Sequence, residues 1–498
     1  VDGPYSLHVA TLGATKFQSL IGANTAVARL ETNAGGMVSL IGAIVTGDMI
    51  LGDDAKVSGT FISKAGSLKA KGAFNSTGST NFAAPSGSVF FEGAVAAVAD
   101  LSVSSGQMVS AKNTGNQFLG RLIVSSPSLT VASSASLDLV ISVDNATITS
   151  SDGLSLSGTV KQDLVVIAGG AVTQSGTVKV TGATALTGAS VLLAGLANDF
   201  IGQVTVTAGI TAISDANELK VSLTTGETKL TTGGVLSLNG VASGALTVSS
   251  TGAISQFGAL KVTGAATLSG ASVTLANPAN EFVGLVTVTA GATTISDVSD
   301  LNVSLTTGET KLTTGGALSV SGVVSGALTA SSTGAITQFG ALKVTGATAL
   351  TGASVSMADP ANDFNGQVTV TAGATAISDA NDLKVLLTTG ETKLSARDSL
   401  SVSGVVSGAL TASSTGSISQ FGTLKVTGST ALTGAIVSLA DPANDFIGQV
   451  TVSAGATAIS DANDLKVSLA TGETKLTTGG VLLLNGMVSG ALTATRTG

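Results

Sequence analysis

The side chains that could do chemistry are mainly acidic, and they recur along the chain. One cluster at 359–363 is repeated at 441–446, and another lies at 379–382. Calcium takes six to eight oxygens from carboxylates and carbonyls, which such clusters could supply. Asn and Asp also favour turns because they hydrogen-bond their own backbone. The first position of the cluster becomes Asn277 or Gly195 in other copies, so turns are favoured over a calcium site.

Side chains with catalytic potential are scarce. His8 and Tyr5 are the sole residues of their types, and both lie at the extreme N-terminus, where a lone histidine is typical of a solvated side chain. A Ser or Thr nucleophile would need a base, and none is in view. Polysaccharide-cleaving β-helix enzymes need clustered charges and aromatic subsites. We therefore predict no catalytic, cofactor-binding or metal-binding residues and no cofactor, with a carbohydrate-active enzyme as the weakest alternative.

One repeat, with a period of 82 positions (256 − 174), organises the chain. Gln174, Gln256, Gln338 and Gln420 head successive copies without insertion or deletion, and Phe200 to Phe446 keep the same spacing inside them. An exact period is typical of arrays in which each unit packs against its neighbours. We predict an irregular N-terminal region and five copies, of which the first is divergent and the last truncated, with these bounds: 1–91; 92–173; 174–255; 256–337; 338–419; 420–498.

The pattern within a copy favours very short strands. Apolar pairs such as Leu260/Val262 alternate with polar residues, and turn-forming residues interrupt them every few positions. Lys261 should therefore point outward. Many short strands with tight turns predict an all-β parallel β-helix, or β-solenoid, in which each strand pairs with its equivalent one coil later. We estimate roughly four coils per copy and expect one copy to be a whole number of coils.

The largest apolar residues are predicted to fill the core. Phe282, Phe364 and Phe446 recur together with Phe257, Phe339 and Phe421, and stacked aromatic residues in a solenoid are more often core than ligand platform. Glu309 and Lys311 within the repeated TGETKL segment should both face water, where their pairing contributes only about 0 to 1 kcal/mol. Thr-rich runs such as 286–289 are explained by the preference of Thr for strands. A flat array of hydroxyl groups, like that of ice-binding solenoids, is the weaker alternative.

Composition restricts the classes of partner. The net charge of −8 and pI near 4.7 disfavour nucleic acid. No apolar run approaches the roughly 18 residues of a membrane helix. The absence of cysteine excludes disulfides and fits a secreted protein. Because the chain starts at Val1 without Met, and its last copy stops just short of a full period, we expect either a processed protein or a fragment of a longer one.

The chain resembles the repeats of filamentous haemagglutinin-type adhesins, which are very large bacterial surface proteins. The segments that carry the resemblance are DGPYSL and GATKF near the N-terminus, then GAITQFGALKVTGATALTGA and ADPANDFNGQVTVTAGATAISDANDLKV. The similarity covers nearly the whole chain and is specific to a class of large exoproteins. It implies a right-handed parallel β-helix, secretion to the outside of a Gram-negative outer membrane, and a role in attachment or cell contact.

These observations lead to three functional hypotheses. The first is a non-enzymatic, secreted or surface-displayed β-solenoid that serves as a rigid stalk or adhesin and meets a receptor or glycan on a host or neighbouring cell. The second is a self-assembling subunit of an extracellular filament, sheath or surface layer, since exposed coil ends are unpaired strand edges that can associate head to tail. The third is the carbohydrate-active enzyme.

Overall fold

The fold is built from short strands alone. A computed structural model describes residues 1–33 and 35–497, and within them it contains 51 β-strands and no helix. The chain divides into two compact units, Val1–Gly252 and Ala253–Gly498. The alternation of apolar and polar residues accounts for the strands, because successive side chains of a strand point to opposite faces.

The first unit contains strands β1 to β24. Their bounds in chain order are Ser6–Val9, Thr15–Lys16, Arg29–Thr32, Met37–Val45, Met49–Leu51, Asp54–Ser63, Leu68–Ala70, Phe74–Ala84, Val89–Phe91, Val95–Ala97, Leu101–Ser105, Met108–Ala111, Gln117–Phe118, Arg121–Ser133, Leu137–Ser150, Leu154–Val160, Leu164–Ala168, Ala171–Val180, Thr184–Leu193, Asp199–Phe200, Val204–Asp215, Leu219–Thr232, Leu236–Ala242 and Leu246–Ser250.

The second unit contains strands β25 to β51. Their bounds are Ala253–Val262, Ala266–Ser269, Ser272–Leu275, Glu281–Phe282, Val286–Thr289, Thr293–Asp297, Leu301–Thr307, Thr310–Thr314, Leu318–Val324, Leu328–Ser332, Ala335–Val344, Thr348–Thr351, Ser354–Met357, Asp363–Phe364, Val368–Ala372, Thr375–Asp379, Leu383–Thr389, Thr392–Ala396, Leu400–Val406, Leu410–Ser414, Ser417–Val426, Thr430–Leu439, Asp445–Phe446, Val450–Asp461, Leu465–Thr478, Leu482–Val488 and Leu492–Arg496.

Within each unit the strands pair in parallel with the strand one turn later, which confirms the predicted β-solenoid. In the second unit one column of paired residues runs through Leu301, Leu318, Ile336, Val355 and Thr375. The interval between neighbours in this column lengthens at each step, as their sequence numbers show. The turns therefore differ in length while the inward-facing column stays continuous.

The expectation that one copy makes four whole turns is wrong. Four turns from Leu301 reach Thr375, whereas the copy of Leu301 in the next repeat is Leu383, about half a turn further along the chain. The paired strands form two stacks, one that runs through β31, β33, β35 and β37 and another that runs through β32, β34, β36 and β39. Strand β31 belongs to the first stack, whereas its copy β41 pairs with β39 in the second. One repeat thus spans four and a half turns. Copies of the same strand lie on alternate sides of the solenoid.

The error in the expectation has a simple physical origin. A whole number of turns is necessary only if core residues can point inward from a single stack. However, a residue that points inward from either stack is buried equally well, because each strand needs only its partner one turn away. The columns confirm this, since Leu318 and its copy Leu400 are both fully buried although they lie in opposite stacks.

The core lies between the stacks and consists of inward-facing Leu, Val, Ile and Phe. In the first unit Phe82 contacts Phe61, Phe74 and Phe91, and Phe74 also contacts Phe91, with ring centroids 5.0 to 5.5 Å apart. The prediction that Lys261 points outward is confirmed, and its Nζ lies 2.6 Å from Glu281 Oε2 on the surface.

Candidate interaction surface

An irregularity in strand pairing at Gly322, found again at Gly404, shapes the most distinctive surface of the second unit. Gly322 in β33 has a φ of 111°, and a Cβ at this position would overlap the Leu305 carbonyl oxygen. Such a φ strongly favours glycine. The next strand, β35, bulges here, because Val320 pairs with Gln338 whereas Gly322 pairs with Leu342. The extra length of β35 must therefore be accommodated at this point.

Phe339 points outward beside the bulge, so the prediction that Phe257, Phe339 and Phe421 are core residues is wrong. Their side chains are 38%, 51% and 39% exposed, whereas Phe364 is buried as predicted. The signal was present in the sequence. Alternation counted forward from the inward-facing Ile336 places Phe339 on the outer face.

A buried amide pair holds the bulge and the loop beside it. Asn362 is fully buried, and its Nδ2 donates to Met357 O (3.0 Å) and Gln338 Oε1 (2.9 Å). Its Oδ1 accepts from the Leu342 amide (2.8 Å) and from Gln338 Nε2 (3.1 Å). Both donors and both acceptor sites of Asn362 are thus used. The amide pair joins the bulged strand β35 to the loop between β37 and β38.

A buried carboxylate fixes the end of that loop. Asp379 Oδ2 accepts the Phe364 amide N–H at 2.8 Å, and its Oδ1 accepts the Asn381 amide N–H at 2.7 Å. Burial raises the pKa of Asp379, although these two N–H groups oppose the rise and nearby Asp363 adds to it. Burial likewise raises the pKa of the equivalent residues Asp215 and Asp461. These carboxylates therefore hold the backbone in place.

Between the bulge and the loop lies an open groove of about 680 Å³. Phe339 forms its apolar part, and the Asp359–Pro360 segment of the loop forms its other side. Thr337 and Ser356 supply hydroxyl groups to its lining. We refer to this site as the Phe339 groove. It combines one exposed aromatic ring with one carboxylate on a surface held by the Asn362 network.

The side chain at the Phe339 position has a defined neighbour earlier in the chain. In the copy headed by Gln420, the ring of Phe421 meets a lysine of the preceding copy, since Lys384 Nζ lies 4.6 Å from the ring centroid. The corresponding residues in the first unit are Asp138 and Ser175, which are separated in sequence by the same number of positions (175 − 138 = 421 − 384). Ser175 Oγ lies 3.3 Å from Asp138 Oδ1. Asn302 stands in the same sequence relation to Phe339 as Lys384 does to Phe421, and it is exposed.

The residues considered for catalysis do not assemble into a site. Tyr5 is exposed, and His8 Nδ1 lies 3.8 Å from Glu31 Oε2, an oxygen that Arg29 Nη2 contacts at 3.0 Å. Glu31 is thus engaged by a guanidinium group near the surface. This arrangement orients the three side chains on the strand surface.

The acidic clusters behave as turns. Asp359 Oδ1 accepts the Ala361 amide N–H at 2.9 Å, as Asp441 Oδ1 does from Ala443. Within the described part of the chain, no group of three or more His, Cys, Asp or Glu residues is placed to hold a metal ion. Glu309 and Lys311 are both exposed, as expected.

The comparisons with known proteins concern the repeat. A family model described as repeats of unknown function (DUF5649) matches residues 143–207, 225–289, 307–371 and 372–453, which together make up more than half of the chain. The chain belongs to the DUF5649 repeat family. The first three DUF5649 matches begin at positions 143, 225 and 307, in agreement with the period of the sequence. No curated protein and no solved structure matches the chain.

Membership of the DUF5649 family supports a repeat protein and assigns no activity to it. It does not name the filamentous haemagglutinin-type adhesins that the sequence resembles. In residues 1–33 and 35–497, no helix has the length and apolar character needed to cross a membrane. The function must therefore be argued from the surface of the solenoid.

Proposed function

We propose that this DUF5649 protein is a non-enzymatic β-solenoid, secreted or displayed on a bacterial surface, that serves as a rigid stalk in adhesion or cell contact. Its partner would be a receptor or glycan on a host or neighbouring cell. The coarser part, a structural repeat β-solenoid, is the observed architecture. Adhesion, secretion and the surface location are the proposal.

The observation that carries the proposal is the repetition of one exposed surface feature on a continuously hydrogen-bonded scaffold. Phe257, Phe339 and Phe421 occupy the same position in three copies, and all three are exposed. Each is followed by a loop containing Asn-Pro or Asp-Pro. Because copies alternate between the two stacks, Phe257 and Phe421 lie on the same side of the second unit and Phe339 lies on the other. Repeated weak contacts on one side of a scaffold raise the overall strength of attachment through effective concentration. Such an arrangement suits contact with a surface better than turnover of a small substrate.

Two measurements test the proposal. Antibody against the folded protein should label intact cells of the source organism, and protease added to intact cells should remove the label. Beads coated with the protein should attach to a panel of host and bacterial cells in larger numbers than uncoated beads. A matched variant with Phe257, Phe339 and Phe421 changed to Ser, the residue at position 175, should reduce attachment. Label found only after the cells are lysed would contradict the surface location.

A second candidate, self-assembly into a filament or layer, is favoured by the strands Leu482–Val488 and Leu492–Arg496. Leu484 and Leu492 are 41% and 45% exposed, whereas their copies Val402 and Leu410 are fully buried beneath the next turn. Each of these strands pairs on one side with Leu465–Thr478, so its other edge can accept the next turn, whether that turn comes from the same chain or from another copy. Sedimentation should show association that grows with concentration and is weakened by Leu484→Lys. A strict monomer at high concentration would argue against this candidate.

A further inference from the structure

We propose that the exposed face of the Phe339 ring binds an Arg or Lys side chain from a basic segment of a partner protein, with Asp359 as the countercharge. The proposal concerns one groove of the second unit and the chemistry of its ligand. It does not depend on the adhesive role. The two proposals can therefore fail separately.

The copy headed by Gln420 shows what this ring attracts. There the protein supplies its own cation, since Lys384 Nζ lies 4.6 Å from the Phe421 ring centroid. A cation within about 6 Å of an aromatic centroid is attracted by the negative face of the ring. The equivalent ring at Phe421 is thus an occupied cation site.

For Phe339, the residue that corresponds to Lys384 carries no charge. The residue one period before Lys384 is Asn302, and the two residues occupy the same register position in their strands. Asn302 pairs with Ser319, which pairs with Thr337. Lys384 reaches the turn of Phe421 by the matching steps through Ser401 and Ser419. The structural difference between the two copies at this point is therefore the side chain itself.

The exposure of the two rings agrees with this difference. Phe339 is 51% exposed and Phe421 is 39% exposed. Among the described residues, no Lys or Arg side chain lies over the Phe339 ring. The open ring is thus available to a cation from outside the chain.

The groove around the ring also has the right charge. Asp359 borders it, and this carboxylate uses Oδ1 for the Ala361 amide. The hydroxyl groups of Thr337 and Ser356 can accept hydrogen bonds from a guanidinium or ammonium group. The whole chain carries a net charge of −8, which draws basic segments toward it. Ring, carboxylate and hydroxyl groups together match an Arg or Lys side chain.

The test is a fluorescent, acetylated triarginine amide titrated into the full chain at low and at physiological salt, with anisotropy as the readout. Asn302→Lys places a lysine where Lys384 lies in the next copy, so it should fill the site from within and remove one binding equivalent. Thr451→Lys adds the same charge at a distant exposed position and is its matched control. Phe339→Ser should weaken binding at this site by about fivefold or more. Asp359→Asn should weaken it by a smaller factor.

The reverse substitution strengthens the test. Lys384→Asn should uncover the Phe421 ring and add one binding equivalent, whereas Lys475→Asn, with the same change in charge, should add none. Circular dichroism checks that each variant is folded. Asn302→Lys that binds the peptide as well as Thr451→Lys would overturn the proposal, as would unchanged binding by Phe339→Ser. Binding that depends on net charge alone, with equal effects of the paired variants, would also overturn it.

Discussion

Replacing Asn362 by Ala tests whether the buried amide pair holds the groove in shape. The substitution removes four hydrogen bonds, two of them to Gln338 and one each to the Leu342 amide and the Met357 carbonyl. The surrounding groups stay buried, because Asn362 is fully enclosed. The backbone of β35 and the loop before β38 would then lack the side chain that joins them.

The magnitude follows from this count of hydrogen bonds. A net value of about 1 kcal/mol for each bond predicts a loss of about 4 kcal/mol in the free energy of unfolding. Water that enters the space would satisfy part of the lost bonding and reduce the loss. Asn381→Ala is the matched control, since Asn381 is exposed and its backbone amide keeps its bond to Asp379. The control should stay within about 0.5 kcal/mol of the parent protein.

The assay is urea unfolding followed by circular dichroism, together with hydrogen exchange measured by peptide. Because contacts in a solenoid are between neighbours, exchange should accelerate in Ser354–Met357 and Asp363–Phe364 and much less in distant turns. Equal effects of Asn362→Ala and Asn381→Ala would refute the assigned role. A loss in stability without local acceleration of exchange would place the effect elsewhere.

Three further predictions follow from the same geometry. Gly322→Ala should lower the free energy of unfolding by about 2 kcal/mol or more because of its positive φ, whereas Gly340→Ala in the same bulge, where the nearest contact is ordinary, should have little effect in urea unfolding. Burial raises the pKa of Asp379, so the folded protein binds a proton at this carboxylate more tightly than the unfolded chain does. The contribution of Asp379 to stability therefore falls as pH rises from about 4 through the folded pKa. The difference in unfolding free energy between the parent and Asp379→Asn should be larger near pH 4 than at pH 7, and an equal difference at both pH values would contradict this. Deleting 338–419 joins Thr337 to Gln420 and should leave a chain that is folded by circular dichroism, because Val320 can then pair with Gln420 as it did with Gln338. Deleting 338–378 instead breaks this pairing and should cause aggregation.

Local pattern was sufficient to predict the strands and their parallel stacking. Alternation within segments such as Leu301–Thr307 shows which side chains point inward. The repeat shows that successive turns resemble one another. Neither signal reveals how many turns one copy spans, because inward columns look the same in both stacks. Only the register, with its turns of unequal length, shows the half turn.

The candidate site divides in a similar way. The outward position of Phe339 could be predicted from Ile336 by alternation, and the general preference for aromatic residues in cores concealed it. The contact between Lys384 and Phe421 joins side chains that lie two turns apart along the chain. It depends on the lengths of both turns and on the bulge at Gly404. No pattern within a single strand contains that information.

The alternation of copies between the two stacks is tested most directly by distances between spin labels in the second unit. The chain has no cysteine, so Cys introduced at Lys311, Leu386 and Lys393 can be labelled in pairs. Lys311 and Leu386 lie in one column, four turns apart, through Thr329, Ala349 and Thr369. At about 4.8 Å per turn their backbones are about 19 Å apart.

Lys393, the copy of Lys311, lies in the other stack, where it pairs with Ala376. Four and a half turns and a sheet separation of about 10 Å place its backbone about 24 Å from that of Lys311, and outward-pointing labels lengthen this distance further. Pulsed electron–electron double resonance should therefore give a longer distance for 311–393 than for 311–386. If copies lay one above another after four whole turns, the order would be reversed, with 311–393 the shorter. That reversal would contradict the half-turn architecture.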